Sequence, residues 1–427
     1  MIYSLLFIAA IAHKAESDWN RYELTINRSI KIDVSTQLVL MGTRHGNRLP
    51  SRFIDINQRT WGFEGNAELT QFGKRQSFGV GKELREFVGS MISKNYSPKE
   101  AKFYTSSANR CQMTLQTLLA GFYRPDTFTE WNPALDWTPV PYSIDDRMLR
   151  MNAVKNCPRS DDAWMPILND TLTDLILLSE ENRLLLDYIA NNSGWNASIN
   201  SASDVADNLI EIDLYGAKYP DWIDNPLLDG YDSERLKKEI LAFTEKHQIR
   251  CTEYEPCRNM MSGVWLHNII TTLEKAQRQE NTAKLIVFVS HTEIILSVIK
   301  LMQFSRNDLP TSAGFLVEYR NKPISSVRLL SHEPVAIDDH LIYQADYEKP
   351  LAEIADSKYW IPLDKFIALV RKNAISNWEQ ACNRQSAMCI TQRISSNAHI
   401  MRSSFICFSL TAFITLICFQ EVNEIGK

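Results

Sequence analysis

Strand-like apolar runs occur at three widely separated places in the chain, and a polar turn and a helical pattern follow each of them. The strand-like runs are 38–41, 101–105 and 284–289. The helical patterns that come after them are 70–85, 110–121 and 294–302. Continuous apolar strands followed by helices are typical of a parallel sheet that is covered on both faces. The pattern therefore predicts an α/β fold, with a mainly parallel sheet flanked by helices on both faces.

The middle of the chain does not keep this alternation. Residues 131–280 contain helical runs such as 172–191 and 233–247 but no clear strand, which indicates an inserted, mainly helical lobe with Trp222 as one of its anchors. The predicted segments are a signal peptide at 1–15, an α/β core at 16–130 and 281–398, the helical lobe at 131–280, and a hydrophobic C-terminal tail at 399–427.

The N-terminal residues indicate export. Ile2 to Ala12 form an apolar run of signal-peptide length, and Ala12 and Ala15 fit a small-residue cleavage site, although no cationic segment precedes them. A buried N-terminal strand or helix is the alternative. Sequons for N-glycosylation, which agree with secretion, occur at Asn27, Asn95, Asn169, Asn191 and Asn196. We therefore expect a secretory-pathway protein, either extracellular or lysosomal.

The tail contains a second apolar run, Phe405 to Phe419. As a helix it would be about 22 Å long, against about 30 Å of bilayer hydrocarbon, so it is a marginal membrane anchor. Small residues at Ser395 to Asn397 leave a GPI signal open, and a buried terminal helix is the third alternative. We expect some form of membrane tether, and the assembly state stays open, with a homodimer as one alternative.

Composition and cysteine usage limit the function classes. A net charge of −5 gives no reason to expect a nucleic-acid partner, so an anionic ligand would need a local cluster of arginines. No cysteine pair has the Cys-x-x-Cys spacing of a zinc site, and no carboxylate cluster calls for a metal, so we expect no cofactor. The cysteines before the tail form an even set that suits an oxidising compartment: Cys111, Cys157, Cys251, Cys257, Cys382 and Cys389.

Candidate chemistry follows the three strands. Arg44, His45, Gly46, Arg48 and Pro50 lie directly after the first strand. Arg110 begins the helix after the second, and His291 and Glu293 follow the third. Since ligands bind beyond the carboxyl ends of parallel strands, these side chains are expected to meet at one edge of the sheet.

The Arg-His-Gly-x-Arg-x-Pro run at 44–50 resembles the signature of the histidine acid phosphatases. The resemblance extends from about Gln37 to Cys382 and includes a Leu-Thr-x-x-Gly segment at 69–73, to which we assign packing beneath the site. It implies an acid phosphatase that acts on small phosphate monoesters, with His45 as the nucleophile that forms a covalent phosphohistidine. It also implies that Cys157 pairs with Cys382.

Phosphate binding in that family implies a clamp formed by Arg44, Arg48, Arg110 and His291. Arginine suits the task because its planar fork donates paired hydrogen bonds and keeps its proton. The match at Arg110 is partial, because Asn109, Cys111 and Gln112 replace the usual neighbours.

The proton donor is where this chain departs from the family pattern. Most members have His-Asp, whereas this chain has His291, Thr292 and Glu293, which resembles the His-x-Glu version of the inositol polyphosphate branch. We assign Glu293 as general acid and then as base for water, which predicts an acidic optimum. The alternatives are a phytase-like specificity for inositol polyphosphates and a catalytically weak secreted protein that binds phosphorylated ligands.

Overall fold

The computed structural model describes residues 29–54, 61–126, 129–150, 157–280 and 283–382, all of which belong to one compact unit. The signal peptide predicted at 1–15, the sequon at Asn27, the cysteine at Cys389 and the tail at 399–427 lie outside these residues. Within the described ranges, no helix has the length and apolarity that a membrane span requires.

The described elements alternate as the sequence predicts at both ends of the chain and are helical in the middle. The strands are β1 (Thr36–Arg44), β2 (Ala101–Thr105), β3 (Ser143–Ile144), β4 (Leu285–Ser290), β5 (Gly314–Arg320), β6 (Ser326–Pro334), β7 (His340–Gln344) and β8 (Ile361–Pro362). The α-helices are α1 (Gln71–Val88), α2 (Asn109–Phe122), α3 (Asp146–Leu149), α4 (Pro158–Leu168), α5 (Thr173–Glu181), α6 (Arg183–Ser193), α7 (Ile199–Tyr215), α8 (Asp221–Asp224), α9 (Ser233–Leu241), α10 (Lys246–Glu253), α11 (Glu255–Gln277), α12 (Thr292–Leu301), α13 (Lys349–Ala352), α14 (Leu363–Val370) and α15 (Trp378–Cys382).

One mixed sheet carries the fold, in the order β3-β2-β4-β1-β5-β6-β7, with β8 paired to β6. The strands from β3 to β1 are parallel, and β1 is antiparallel to β5. The remaining pairs, among β5 to β8, are antiparallel. The predicted α/β fold is confirmed, with an antiparallel extension on one side of β1.

Both faces of the sheet are buried, as the continuous apolar strands predict. In β1, Leu38 and Leu40 face a core that includes Trp265 of α11 and residues of α12. Val39 and Met41 point to the opposite face, where they pack with residues of α1 and α2. This alternation follows from the two-residue period of a strand, with helices covering each side.

Between Pro158 and Gln277 the described chain is helical, and its own cluster of buried side chains joins α4 to α10. The two-residue strand β3, which also falls in the range 131–280, extends the sheet beside β2. The division into core and lobe stays a prediction. Trp222 packs edge-on against Tyr188, and the Tyr188 hydroxyl donates to the Trp222 carbonyl at 2.8 Å.

The helical run predicted at 172–191 is two helices, broken at Asn182. The Asn182 amide donates to the carbonyl of Leu178 at 2.9 Å, a local side-chain bond that competes with helix continuation. The pairing of Cys157 with Cys382 is confirmed, and a second disulfide joins Cys251 to Cys257.

Candidate active site

The predicted side chains lie just beyond the carboxyl ends of three parallel strands, at one edge of the sheet. In the order β2-β4-β1, Arg44 is level with Ser290, and Thr105 is level with Val289. The next residues of β1 and β4 are His45 and His291, and the first turn of α2 beyond β2 carries Arg110. The sequence-predicted convergence of His45, Arg110 and His291 is therefore present.

The imidazole of His45 is buried and has one nitrogen free for chemistry. Its Nδ1 lies 2.8 Å from the carbonyl oxygen of Gly46, so Nδ1 carries the proton and donates. That leaves Nε2 with a lone pair. Burial lowers the pKa of His45 well below its usual value, and the charges of Arg110 and Arg44 add to the effect. His45 therefore stays neutral to a lower pH than a free imidazole does.

His291 lies edge-on to His45, with their ring centroids 5.6 Å apart, and its tautomer is set by its partners. Arg110 Nη2, which can only donate, is 3.1 Å from Nδ1. The proton of His291 is therefore on Nε2, which is 3.1 Å from the Ser106 hydroxyl. Burial, followed by the charges of Arg110 and Arg150, lowers the pKa of His291 well below its usual value.

The three predicted arginine ligands are not equivalent in this structure. Arg44 forms a bidentate salt bridge with Glu245, and Arg48 forms a salt bridge with Asp207 at 2.7 Å. Among the described residues, Arg110 forms no salt bridge. In the described part of the chain, the buried Nε atoms of Arg44 and Arg110 have no hydrogen-bond acceptor. An unsatisfied buried donor is costly, and a phosphate oxygen would supply the missing acceptor.

Glu293 lies partly buried in the first turn of α12, two residues after His291. Burial raises its pKa above the usual value, and the charge of Glu245 also raises it, while Arg110 and Arg44 lower it. A carboxyl group with a raised pKa holds its proton further into the mildly acidic range.

Three acidic residues that the sequence did not predict contact residues of the loop after β1. Asp204, Asp207 and Glu211 lie on one face of α7 and contact Arg52, Arg48 and Asn47 respectively. Burial, followed by the charge of Asp207, raises the pKa of Glu211 to about 8. In the sequence, their spacing of three and four residues could have indicated that they share one face of a helix. Nothing in the local sequence connects that face to the loop after β1.

Arg150, which follows α3, is a further cation that the sequence analysis missed. It donates to the hydroxyl of Ser107, and within the described chain it forms no salt bridge. Arg150 and Arg110 line one cavity of ≈ 360 Å³. The other lining residues are Asn66, Ala67, Glu68, Ser107, Ala108 and Asn109.

The loop that carries His45 rests directly on α1. Thr70 caps the helix by accepting from the N–H of Gly73 at 3.0 Å. A Cβ built on Gly46 would lie 2.5 Å from the carbonyl oxygen of Gly73, and one on Gly73 would lie 2.2 Å from that of Asn47. The glycines are therefore required by backbone packing, which is the role predicted for the segment at 69–73.

Two further features concern metal-ligating side chains and the thiol of Cys111. Across residues 29–54, 61–126, 129–150, 157–280 and 283–382, no cluster of three or more His, Cys, Asp or Glu side chains could hold a metal ion. Cys111, in the first turn of α2, is buried without a disulfide, and its Sγ lies 3.7 Å from His291 Nε2. Burial raises the pKa of this thiol to about 11, so it is protonated.

Comparison with known proteins identifies similar sequences over most of the chain. The family model described as Histidine phosphatase superfamily (branch 2) matches residues 11–321. Prostatic acid phosphatase of Bos taurus is 22% identical over 362 residues, which cover 81% of this chain and 87% of that protein. Lysosomal acid phosphatase of Homo sapiens is 21% identical over 370 residues, covering 84% and 83%.

Solved structures with a similar fold have still lower identity. The apo form of the Hafnia alvei phytase has a TM-score of 0.56 at 12% identity and covers 83% of this chain and all of that one. The Bifidobacterium longum multiple inositol polyphosphate phosphatase with inositol hexasulfate has a TM-score of 0.54 at 10% identity, covering 82% and 98%. At these identities the likeness shows the fold alone.

Proposed function

Because this chain belongs to branch 2 of the histidine phosphatase superfamily, we propose that it is an acid phosphatase that hydrolyses phosphate monoesters through a phosphohistidine at His45. The observation that carries the proposal is the convergence of two neutral histidines with arginines whose buried Nε donors have no acceptor. A phosphoryl group carries about −1.5 to −2 charges near neutral pH and needs such donors.

Phosphate binding is assigned to Arg44, Arg48 and Arg110, with His291 beside them. Their guanidinium groups hold the equatorial oxygens as charge spreads over them in the transition state. Arg110 is the strongest candidate for a direct ligand, because no described carboxylate neutralises it. His291 accepts from Arg110 through Nδ1, which holds that guanidinium in place, and its Nε2–H faces the Ser106 hydroxyl.

The reaction proceeds in two displacements. The lone pair on His45 Nε2 forms the N–P bond as the bond from phosphorus to the leaving oxygen breaks, and Glu293 transfers its proton to that oxygen. Water then attacks phosphorus, Glu293 takes a proton from it, and the N–P bond breaks. The electron pair returns to Nε2, and inorganic phosphate leaves.

An acidic optimum follows from the directions of the pKa shifts. The lowered pKa of His45 keeps the nucleophile neutral at acidic pH, and the raised pKa of Glu293 keeps the donor protonated there. Activity should fall at high pH, where Glu293 loses its proton, and at low pH, where the substrate or His45 gains one.

The test is release of phosphate from p-nitrophenyl phosphate by the wild type and by His45→Ala. We expect the variant to lose activity by a factor of at least about 10³. His267→Ala, on α11, is the matched control and should keep full activity. Full activity in His45→Ala would overturn the assignment. Phosphate binding without turnover in the wild type would support the alternative of a ligand-binding protein.

A second candidate is hydrolysis of inositol polyphosphates, which the cavity lined by Arg110 and Arg150 favours. We assign Arg150, which lines this cavity with Arg110, to a second phosphate of such a substrate. In Arg150→Met, kcat/KM for phytate should fall by about tenfold or more while that for p-nitrophenyl phosphate changes little. Equal changes for the two substrates would contradict this specificity.

A location in the secretory pathway is supported by the two disulfides, which are typical of oxidising compartments. The sequon asparagines of the described chain, Asn95, Asn169, Asn191 and Asn196, are all exposed. A membrane tether through residues 399–427 and a homodimer are further proposals. Partition of the activity into a detergent phase tests the tether, and sedimentation of the purified protein tests the dimer.

A further inference from the structure

Glu245 is an acidic residue of the site that the proposed reaction does not use. It lies in the turn between α9 and α10, and its backbone is in the left-handed region, with φ at 54°. Its N–H is held 3.3 Å from the hydroxyl of Ser203 on α7. A non-glycine residue in this conformation is disfavoured by about 1 kcal/mol or more, so the surrounding structure must impose it.

The carboxylate of Glu245 connects two elements that carry site residues. Its oxygens accept from Nη1 and Nη2 of Arg44 at the end of β1, the Nη1 contact being 3.0 Å. One of the same oxygens accepts from the Thr292 hydroxyl of α12 at 3.1 Å. Thr292 separates His291 from Glu293, so this contact reaches the residue between the phosphate clamp and the proton donor.

We propose that Glu245 is a positioning residue that orients Arg44 toward the substrate phosphate and limits the positive charge of the phosphate site. The proposal rests on the proposed function for the meaning of the site, while its contacts with Arg44 and Thr292 are independent of that function.

Orientation follows from counting the N–H groups of Arg44. A guanidinium has five, and Arg44 gives two to Glu245 and one to the carbonyl of Leu309. The remaining two are the Nε–H and one N–H of Nη2, which lie on the same side of the planar group. That side forms a second fork of the kind that binds two phosphate oxygens.

Charge balance follows from the neighbours of Glu245. Glu245 cancels the charge of Arg44, and Asp207 cancels that of Arg48, whereas Arg110 and Arg150 stay without salt-bridge partners in the described chain. A site that holds phosphate too tightly releases its product slowly. The carboxylate therefore weakens the binding of product phosphate while keeping Arg44 fixed.

The same carboxylate acts on the proton donor. The groups whose charges act on Glu293 are Arg110 from α2, Arg44 from β1 and Glu245 from the turn before α10. Of these, Glu245 is the one that raises the pKa of Glu293, in the same direction as burial. Removing its charge should therefore lower that pKa and move the high-pH limb of kcat to lower pH.

The experiment compares the wild type with Glu245→Gln, which keeps the size of the side chain and one acceptor oxygen but removes the negative charge. Inorganic phosphate should bind about tenfold more tightly to the variant, because one nearby negative charge is gone. The high-pH limb should move down by about half a pH unit or more. A purely structural role would lower kcat at every pH and leave both quantities unchanged.

Two further variants serve as controls. Glu280→Gln removes an exposed charge near the start of β4, at the opposite edge of the sheet, and should leave phosphate binding and the pH profile unchanged. Thr292→Val removes the hydroxyl contact but no charge, so phosphate binding should change far less than in Glu245→Gln. Should Glu245→Gln fail to fold, Glu245→Asn replaces it, since asparagine tolerates a positive φ.

Unchanged phosphate affinity and an unmoved limb in the folded variant would overturn the proposal. Calorimetry of inorganic phosphate does not require turnover, so it separates this proposal from the proposed function. If the wild type binds phosphate but hydrolyses no ester, the enzymatic function fails while tighter binding by Glu245→Gln still supports the role of Glu245.

Discussion

An alanine at Gly73 would place a methyl group between α1 and the loop that carries His45. Its Cβ would lie 2.2 Å from the carbonyl oxygen of Asn47 and 2.8 Å from the Asn47 nitrogen, and both of these are backbone atoms. Ordinary contact would need a separation of about 3.4 Å, so the loop must move by about 1 Å. Overpacking of this kind costs about 1–3 kcal/mol, which the better helix propensity of alanine offsets by about 1 kcal/mol.

The effect on activity should exceed the effect on stability. Asn47 lies between His45 and Arg48, and a displacement of about 1 Å at a reacting group costs about 100-fold in rate. We therefore expect Gly73→Ala to lose about 100-fold in kcat/KM, measured with p-nitrophenyl phosphate, and up to about 2 kcal/mol in the free energy of unfolding, measured in urea.

Gly81 in the same helix provides the matched control. A Cβ there would lie 2.0 Å from the carbonyl oxygen of Leu118, so the collision is equally severe. Leu118 is eight residues beyond Arg110 in α2, about 12 Å along the helix. Gly81→Ala should therefore lose similar stability but much less activity. The reasoning is refuted if Gly73→Ala is fully active, or if both variants lose the same activity for the same loss of stability.

Further predictions concern the proton donor, acid stability and the disulfides. In Glu293→Gln, the burst of phosphoenzyme formation should fall by about 10²-fold or more with alkyl phosphates and far less with p-nitrophenyl phosphate, and equal loss with both would move the donor role elsewhere. Burial lowers the pKa of His332 to about 3 in the folded protein. Because the unfolded chain binds a proton at this histidine at a higher pH, the free energy of unfolding falls as the pH falls, by about 2 kcal/mol at pH 5. Urea unfolding at pH 7 and 5 should show a smaller loss in His332→Gln, and an identical pH dependence would contradict this. Replacing Cys157 and Cys382 by serine removes a cross-link between residues 225 positions apart and should lower the free energy of unfolding by about 5 kcal/mol. Replacing Cys251 and Cys257, which close a much shorter loop, should lower it by about 2 kcal/mol. Equal decreases in Tm would contradict the loop-entropy explanation.

The sequence predicted the parts of the site that depend on strand ends. Continuous apolar strands indicated a parallel sheet, and parallel strands have their carboxyl ends at one edge. The sequence therefore predicted that His45, Arg110 and His291 lie at the same edge, without any knowledge of tertiary contacts. The packing of the segment at 69–73 beneath the site was also predicted, although from the family resemblance, since Gly73 packs against Asn47, which is distant in sequence.

The partners of those residues could not be predicted in the same way. Glu245 and Asp207 come from the helical segment, where no pattern in the sequence says which face meets the loop after β1. Arg150 follows a four-residue helix with no strong periodicity. Long-range ion pairs depend on tertiary packing. The sequence alone does not distinguish an exposed acidic residue from one that pairs with an arginine of the site.

The covalent intermediate is the central claim, and trapping it is the most direct test. The enzyme should be mixed with a phosphate monoester at acidic pH, quenched with base because phosphohistidine is acid-labile, and digested for mass spectrometry. We predict a single phosphorylated peptide, which contains His45, and none in His45→Ala. Phosphate on His291 or on any other residue, or turnover without phosphorylation of His45, would contradict the account.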